Sequence, residues 1–441
     1  VSAFFEGSKY WRIKQLEIRD VRLVYAPPRG IGNYGGEVDN WMWPRHTGDF
    51  GFIRAYVGPD GRPADYAKEN VPYKPKRILE VSDSDVDAGD LMLTIGYPGK
   101  TYRYYLAHEV EDAEQFYLPM GVRYRKALIA ILEEQGKANK DVAIKNAARI
   151  RSYLNYLKKY QGTLEAFEKG GLLEGRRAEE KKLAATASKD AAARGRYEAA
   201  VAEIARINEV KRATRERDAV LEWMLSASPM LAQANTLLVL GRERAKSDDL
   251  DRTYGYQERD WKRLQQQVRR AQRQIEPGSD RAGLRFLLLE ATRLPQAQRI
   301  AAIDEALAGT GEKEPKAAVE KLLDRIYADT KVSALEARLA MFAESPQQLS
   351  ARKDSMLAFA SRLRTAIEAN EKRDHEMEGA MLRQRPVYVE VLRKQREGRL
   401  YPDANGTLRI SFGKVAGYSP RDSVEYAAQT TLAGIVEKNT G

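Results

Sequence analysis

The hydrophobic spacing of this chain changes character twice, and that switch constrains its fold more than any other feature. Residues 1 to about 101 carry short apolar runs punctuated by turn residues. Ile13 to Tyr25 alternates apolar and polar side chains. Phe52 to Val57 runs into the turn Gly58-Pro59-Asp60-Gly61, and Leu91 to Ile95 runs into Gly96-Tyr97-Pro98-Gly99. This pattern predicts the strands of a barrel or sandwich. From about 112 to 397 a helical period takes over. Breaks are expected at Gly136, Gly162, Gly170-Gly171, Pro229, Pro277-Gly278, Pro295, Gly309 to Pro315, Pro346 and Pro386. The segments between them would be helices of about ten to thirty residues. Ser345-Pro346-Gln347-Gln348 reads as an N-cap followed by proline in the first turn. After Gly398 the β character returns, with Gly406 to Gly413 as a strand behind an Asn-Gly turn. No element of its own is expected at the end, Thr440-Gly441.

The order β, long α, β is that of a helical domain inserted into a β domain. The fold class expected is therefore mixed α and β, with both β pieces incomplete. The chain opens Val1-Ser2-Ala3-Phe4-Phe5, already strand-like and without an initiating Met or signal peptide. That start reads as a cut inside a longer protein, so a missing targeting signal is uninformative.

Composition removes several classes of function. The 441 residues are 43% apolar and 31% charged, enough for two or more folded domains with a sizeable core. No apolar run is long enough for a membrane-spanning helix. There are no cysteines, which excludes disulfides, thiolate metal sites and a cysteine nucleophile. The three histidines, His46, His108 and His375, form no metal-ligand spacing, so no metal and no cofactor is expected. The net charge is +11. Lys and Arg are nevertheless interleaved with acidic residues, as in Gly175-Arg176-Arg177-Ala178-Glu179-Glu180-Lys181-Lys182. That is the pattern of a solvated helix face laced with i,i+4 pairs, and nucleic acid is not expected as a partner.

Chemistry concentrates in Gly35-Gly36-Glu37-Val38-Asp39-Asn40-Trp41-Met42-Trp43-Pro44-Arg45-His46-Thr47-Gly48-Asp49-Phe50. Two tryptophans, two aspartates, a histidine, an asparagine and three glycines fall within sixteen residues. Two readings fit. One is a binding or catalytic loop on a rigid scaffold. The other is a buried, Trp-rich turn that closes a barrel.

The motif resembles the signature of the bacterial dipeptidyl-peptidase 7/11 family. The similarity extends through Ile18-Arg19-Asp20-Val21-Arg22-Leu23-Val24-Tyr25-Ala26-Pro27. It returns at Gly96-Tyr97-Pro98-Gly99-Lys100-Thr101 and at Leu408-Arg409-Ile410-Ser411-Phe412-Gly413-Lys414-Val415. Family members are periplasmic serine exopeptidases with a chymotrypsin-like double barrel and an inserted helical domain. The resemblance implies an incomplete barrel domain at 1–101, an inserted helical cap at 102–397 and a return to the barrel domain at 398–441. It implies a periplasmic or secreted enzyme, homodimeric when complete, acting on peptides with a free N-terminus.

The resemblance also implies roles. A serine hydrolase needs an acid to orient its histidine, and the aspartate at this place in the motif is Asp49. From chemistry alone Asp39 competes with it, and an Asx-turn role for Asp49 stays open. The histidine would lie upstream of Val1 and the serine in a Gly-rich turn beyond Gly441, so this chain alone is expected to hydrolyse nothing. His46, only three residues from Asp49, suits packing better than general-base work. An exopeptidase must also surround a buried α-ammonium with acceptors. The family places an Asn-Trp pair there, here Asn40 and Trp41, joined by an asparagine of the helical domain, for which Asn155 fits best. The acidic partner of the amine would lie near the serine. His108 and His375 are expected as surface or satisfied helix residues, and Trp223 and Trp261 as core. Tyr102, Tyr104 and Tyr105 would line the cleft or pack a hinge. A non-catalytic helical module that binds peptides or proteins is the alternative function, and a basic nucleic-acid scaffold a third.

Overall fold

Gly96 lies opposite Arg409 at the end of an antiparallel pair that runs to Leu91 opposite Lys414. The strands Leu91–Gly96 (β6) and Arg409–Lys414 (β7) thus form one hairpin whose connection is the whole stretch 97–408. The protein is described by a computed structural model covering residues 2–439, so Val1, Thr440 and Gly441 lie outside the described residues. The chain divides into two compact units, residues 1–105 with 396–441, and residues 106–395.

The base of the long connection is stitched within the first unit. Thr101 Oγ1 donates to Asp403 Oδ1 at 2.6 Å and accepts from the Ala404 amide at 2.9 Å. The Arg103 amide donates to the same Asp403 oxygen at 2.9 Å. Tyr104 is buried and gives its hydroxyl to the Tyr401 carbonyl. The rings of Tyr102 and Tyr105 stack with centroids 4.7 Å apart. Tyr104 therefore packs this neck rather than lining a cleft.

The remaining strands of this unit form small antiparallel sheets. They are Ser2–Phe4 (β1) with Lys9–Trp11 (β2), then Asp20–Tyr25 (β3), Phe52–Val57 (β4) and Val71–Pro72 (β5) in order, and Tyr418–Arg421 (β8) with Val424–Tyr426 (β9). β3 starts at Asp20, later than the alternation from Ile13 suggests. There Asp20 is buried, takes both arms of Arg22 at 3.0 and 2.8 Å, and accepts from Asn70 at 2.8 Å. Large apolar side chains on these sheets stand in solvent, among them Leu23, Ile53, Leu93, Ile410 and Phe412. At the chain's end Ala433–Lys438 forms a short helix, where the sequence suggested no element. Lys438, Gly434 and the Ile435 carbonyl of this helix meet residues of the first 46 positions, as described below.

The second unit is all helical and owns one large apolar core. Leu128, Leu132, Met224, Leu231, Leu237, Leu284, Leu287 and Leu323 are among its buried residues. Helix ends carry the caps that their sequences encode. Asn139 accepts from the Asp141 amide at the head of Lys140–Gly170. Ser345 and Gln348 form a reciprocal capping box with Pro346 in the first turn, as expected. Gly283 marks a close helix crossing, because a Cβ there would come within 2.8 Å of the Ala227 carbonyl oxygen. Surface pairs such as Arg194–Glu198 and Arg206–Glu203 link the interleaved charges along helix faces.

Two expected breaks do not occur. Gly162 sits inside Lys140–Gly170, where a single glycine costs only about 1 kcal/mol. Pro386 sits inside the 41-residue helix Ser355–Gln395. Its lost backbone bond is outweighed by its surroundings. Arg385 is buried in an ion pair with buried Glu109, and Tyr388 and Val389 are fully buried one turn on. Tertiary packing overrides the local breaker.

Candidate active site

The motif loop is shaped by glycines and closed by an ion pair. Gly35 has φ +74°, and a Cβ there would lie 2.2 Å from Asp39 Oδ2. Only glycine leaves room for that carboxylate. The Asp39 amide donates to the Gly35 carbonyl at 3.1 Å, and the Asp39 carbonyl accepts from the Met42 amide at 3.1 Å. Asp39 is 6% exposed, and its carboxylate is paired with Lys438 Nζ at 2.9 Å. The same ammonium donates to the Pro44 carbonyl at 2.6 Å.

Between those two anchors stand the amine-binding candidates. Asn40 is half-buried and donates its Nδ2 to Glu37 Oε2 at 3.0 Å. That bond uses the amide nitrogen as a donor, and the carbonyl oxygen is the side chain's one acceptor atom. Trp41 follows with φ +61° and a ring that is 62% exposed. A bulky residue in the left-handed region costs of order 1–3 kcal/mol and persists only where its surroundings impose it. Asn40, Trp41, Met42, Trp43, Arg45 and Tyr418 line a cleft of about 430 Å³.

Asp49 follows on a fixed backbone. The Gly48 amide donates to the Ile31 carbonyl at 2.9 Å, and a Cβ on Gly48 would come within 2.7 Å of Ile31 Cγ2. Phe50 packs its ring against Tyr25 and Phe52. Asp49 itself is exposed and has no ion-pair partner among the described residues. The two aspartates of the loop thus differ: Asp39 is neutralised in the loop's interior, and Asp49 projects from its rim.

His46 points elsewhere. Its Nε2 lies 2.9 Å from Thr430 Oγ1, and its ring fits against Gly434, where a Cβ would approach to 2.7 Å. Its Nδ1 is buried with no hydrogen-bond partner among the described residues. Asn40, Trp41 and Asp49 share this one loop. Asn155 belongs to the helical unit, half-buried midway along Lys140–Gly170. On the same helix Tyr153 is buried and donates to the Ser226 carbonyl at 3.3 Å.

The other singled-out residues have structural surroundings. Trp223 packs edge-on to Tyr124, and Trp261 donates to the Tyr256 carbonyl at 3.0 Å. His375 is exposed, whereas His108 holds a buried Nε2 with no partner among the described residues. Sequence reasoning missed Glu37, Lys438 and Tyr418. Glu37 had a local signal, three residues before Asn40. Lys438 and Tyr418 had none, because their partners lie almost the whole chain away. Among the described residues no group of His, Asp and Glu could hold a metal ion, and no helix is long and apolar enough to cross a membrane.

This arrangement sits in a recognisable family. The chain belongs to the peptidase S46 family, whose model matches residues 1–441. It is 36% identical over its whole length to an Asp/Glu-specific dipeptidyl-peptidase of Shewanella putrefaciens, covering 59% of that protein. It is 28% identical to dipeptidyl-peptidase 7 of Porphyromonas gingivalis, over 99% of this chain and 60% of that one. Among solved structures, DPP11 of Porphyromonas endodontalis in complex with the dipeptide Arg-Glu matches 99% of the chain with a TM-score of 0.76 and 31% identity, covering 61% of that chain. The chain therefore spans about three-fifths of the length of the relatives it matches.

Proposed function

We propose that the protein acts as a serine-type dipeptidyl peptidase, releasing dipeptides from the free N-terminus of peptides through an acyl-enzyme. The observation that carries this reading is the cleft in a peptidase S46 chain where Glu37 turns the Asn40 amide beside the exposed Trp41 ring. Asn40 and Trp41 would take the substrate's α-ammonium, together with Asn155 of the helical unit. A cation there needs oxygen acceptors and an apolar wall, and an Asn-Trp pair supplies both. Asp49 would orient the catalytic histidine, being the aspartate of this loop that is not paired with Lys438.

The β unit would be part of a chymotrypsin-like double barrel. The apolar side chains that stand in solvent on β3, β4, β6 and β7 support this, since such faces mark an interaction surface. In this reading residues 1–101 and 398–441 belong to the barrel domain and 102–397 form the inserted helical cap. The enzyme would be periplasmic or secreted, and homodimeric. The relatives include proteins named Asp/Glu-specific and others named dipeptidyl-peptidase 7, and the side-chain preference of this protein is set by residues other than those of the amine loop.

The test is cleavage by the product of the whole gene of a dipeptidyl reporter with a free or an acetylated N-terminus. Release from the free form, with at least a roughly hundred-fold preference over the acetylated form, is expected from the loss of charge-assisted bonds to the amine. Equal cleavage of both, or cleavage only inside long peptides, would overturn the reading.

A further inference from the structure

Lys438 reaches the motif loop from the far end of the sequence and holds it at two points. We propose that Lys438 is a positioning residue: its ammonium staples the amine-binding loop closed by bonding Asp39 and the Pro44 carbonyl at once, and so sets where Asn40 and Trp41 stand. The proposal rests on the reading of that loop as the amine site.

The staple is built from both sides. Asp39 is buried and its carboxylate occupies space that exists only because residue 35 is glycine. A buried carboxylate without a partner is strongly unfavourable, so the lysine is required wherever Asp39 keeps this place. Lys438 uses two of its three donors, at 2.9 Å to Asp39 Oδ2 and 2.6 Å to the Pro44 carbonyl. The segment that carries it is itself pinned. Tyr34 gives its hydroxyl to the Ile435 carbonyl, Thr430 meets His46 at 2.9 Å, and Gly434 admits the His46 ring.

The residues between the two anchors are Asn40, Trp41, Met42 and Trp43. Trp41 holds its positive φ within that span, and a strained backbone relaxes when its restraints are cut. Asp49 lies outside the staple and has its own restraint in the Gly48–Ile31 bond and the Phe50 ring contacts. Loss of the staple should therefore disturb amine binding and spare the chemical step.

Two measurements on the product of the whole gene test this. Lys438→Met keeps the apolar stem and removes the donors; Lys438→Arg keeps the charge. The first measurement is trypsin cleavage after Arg45, just beyond the Pro44 anchor, mapped by mass spectrometry. Lys438→Met should be cut there at least roughly ten-fold faster, with cleavage after Arg29 unchanged and Lys438→Arg close to wild type. The second is kinetics with free and acetylated reporters. Lys438→Met should raise KM for the free-amine reporter roughly ten-fold or more, with kcat within about threefold, and shrink the preference over the acetylated reporter equally. Should Lys438→Met not fold, Asp39→Ala removes one of the two anchors outright and should show the same two signatures. Unchanged cleavage after Arg45 overturns the staple. Faster cleavage with an unchanged KM, or a fall in kcat alone, overturns its role in amine binding. Absence of dipeptide release by the wild type would instead overturn the functional reading, and leaves the proteolysis result to judge the staple.

Discussion

Ser228 Oγ donates to Asp280 Oδ1 at 2.6 Å in the interior of the helical unit, where both residues are fully buried. Asp280 also accepts from the Met230 amide at 2.9 Å and from the Tyr327 hydroxyl. It thereby ties the start of Pro229–Arg244 to Pro277–Thr292 and Pro315–Ala328.

This relationship predicts an unusual pH dependence. Burial pushes the Asp280 carboxyl above the ordinary range, against the pull of the three donated hydrogen bonds. A carboxyl whose pKa is raised by folding holds its proton more tightly in the folded chain. Its contribution is complete below the unfolded value of about 3.9 and is lost as pH rises through the folded value. Thermal unfolding of wild type and Asp280→Asn, followed by helical circular dichroism, isolates the group. The stability of wild type relative to the variant should fall as pH rises from about 4 towards neutrality. A difference that rises with pH would mean that the three donors hold Asp280 ionised.

The two loop aspartates should separate kinetically. Asp49→Asn in the intact enzyme should keep the fold and bind peptide nearly as well. Its turnover should drop roughly ten-thousand-fold, because the histidine would then take the wrong tautomer. Asp39→Asn removes the charge that faces Lys438 and should act mainly on KM. Steady-state kinetics on a free-amine reporter decides between them. The reverse pattern would assign the acid to Asp39.

The sequence made some of this legible and hid the rest for physical reasons. The switch from a period of two to a helical period, and the Ser345-Pro346 cap, are local signals, and each has its counterpart in the structure. The strand Leu91–Gly96 was readable, but not its pairing with Arg409–Lys414, because register across 97–408 is a tertiary fact. Pro386 misled because the buried Arg385–Glu109 pair and Tyr388, which hold its helix together, are invisible to a local rule. Within the motif loop, composition marks the segment as a whole, and only the family resemblance points to Asn40 and Trp41. Asp39 could not be set apart from Asp49 without Lys438, which approaches from 399 positions away.

The proposed amine site makes the most stringent prediction. Asn40 and Asn155 are proposed to offer acceptors to one ammonium group, each contact worth about 1.5–3 kcal/mol. Alanine at either position in the intact enzyme should lower kcat/KM for a free-amine reporter roughly ten- to a hundred-fold. For an acetylated reporter the same substitutions should have little effect, since no ammonium is present to lose. The double variant Asn40→Ala, Asn155→Ala reports whether the two act on one group. Losses that fall short of adding by more than about 0.5 kcal/mol place them on a shared ligand. Strict additivity, or an Asn155→Ala effect that is equal for free and acetylated reporters, would remove Asn155 from the amine site and leave it a helix residue.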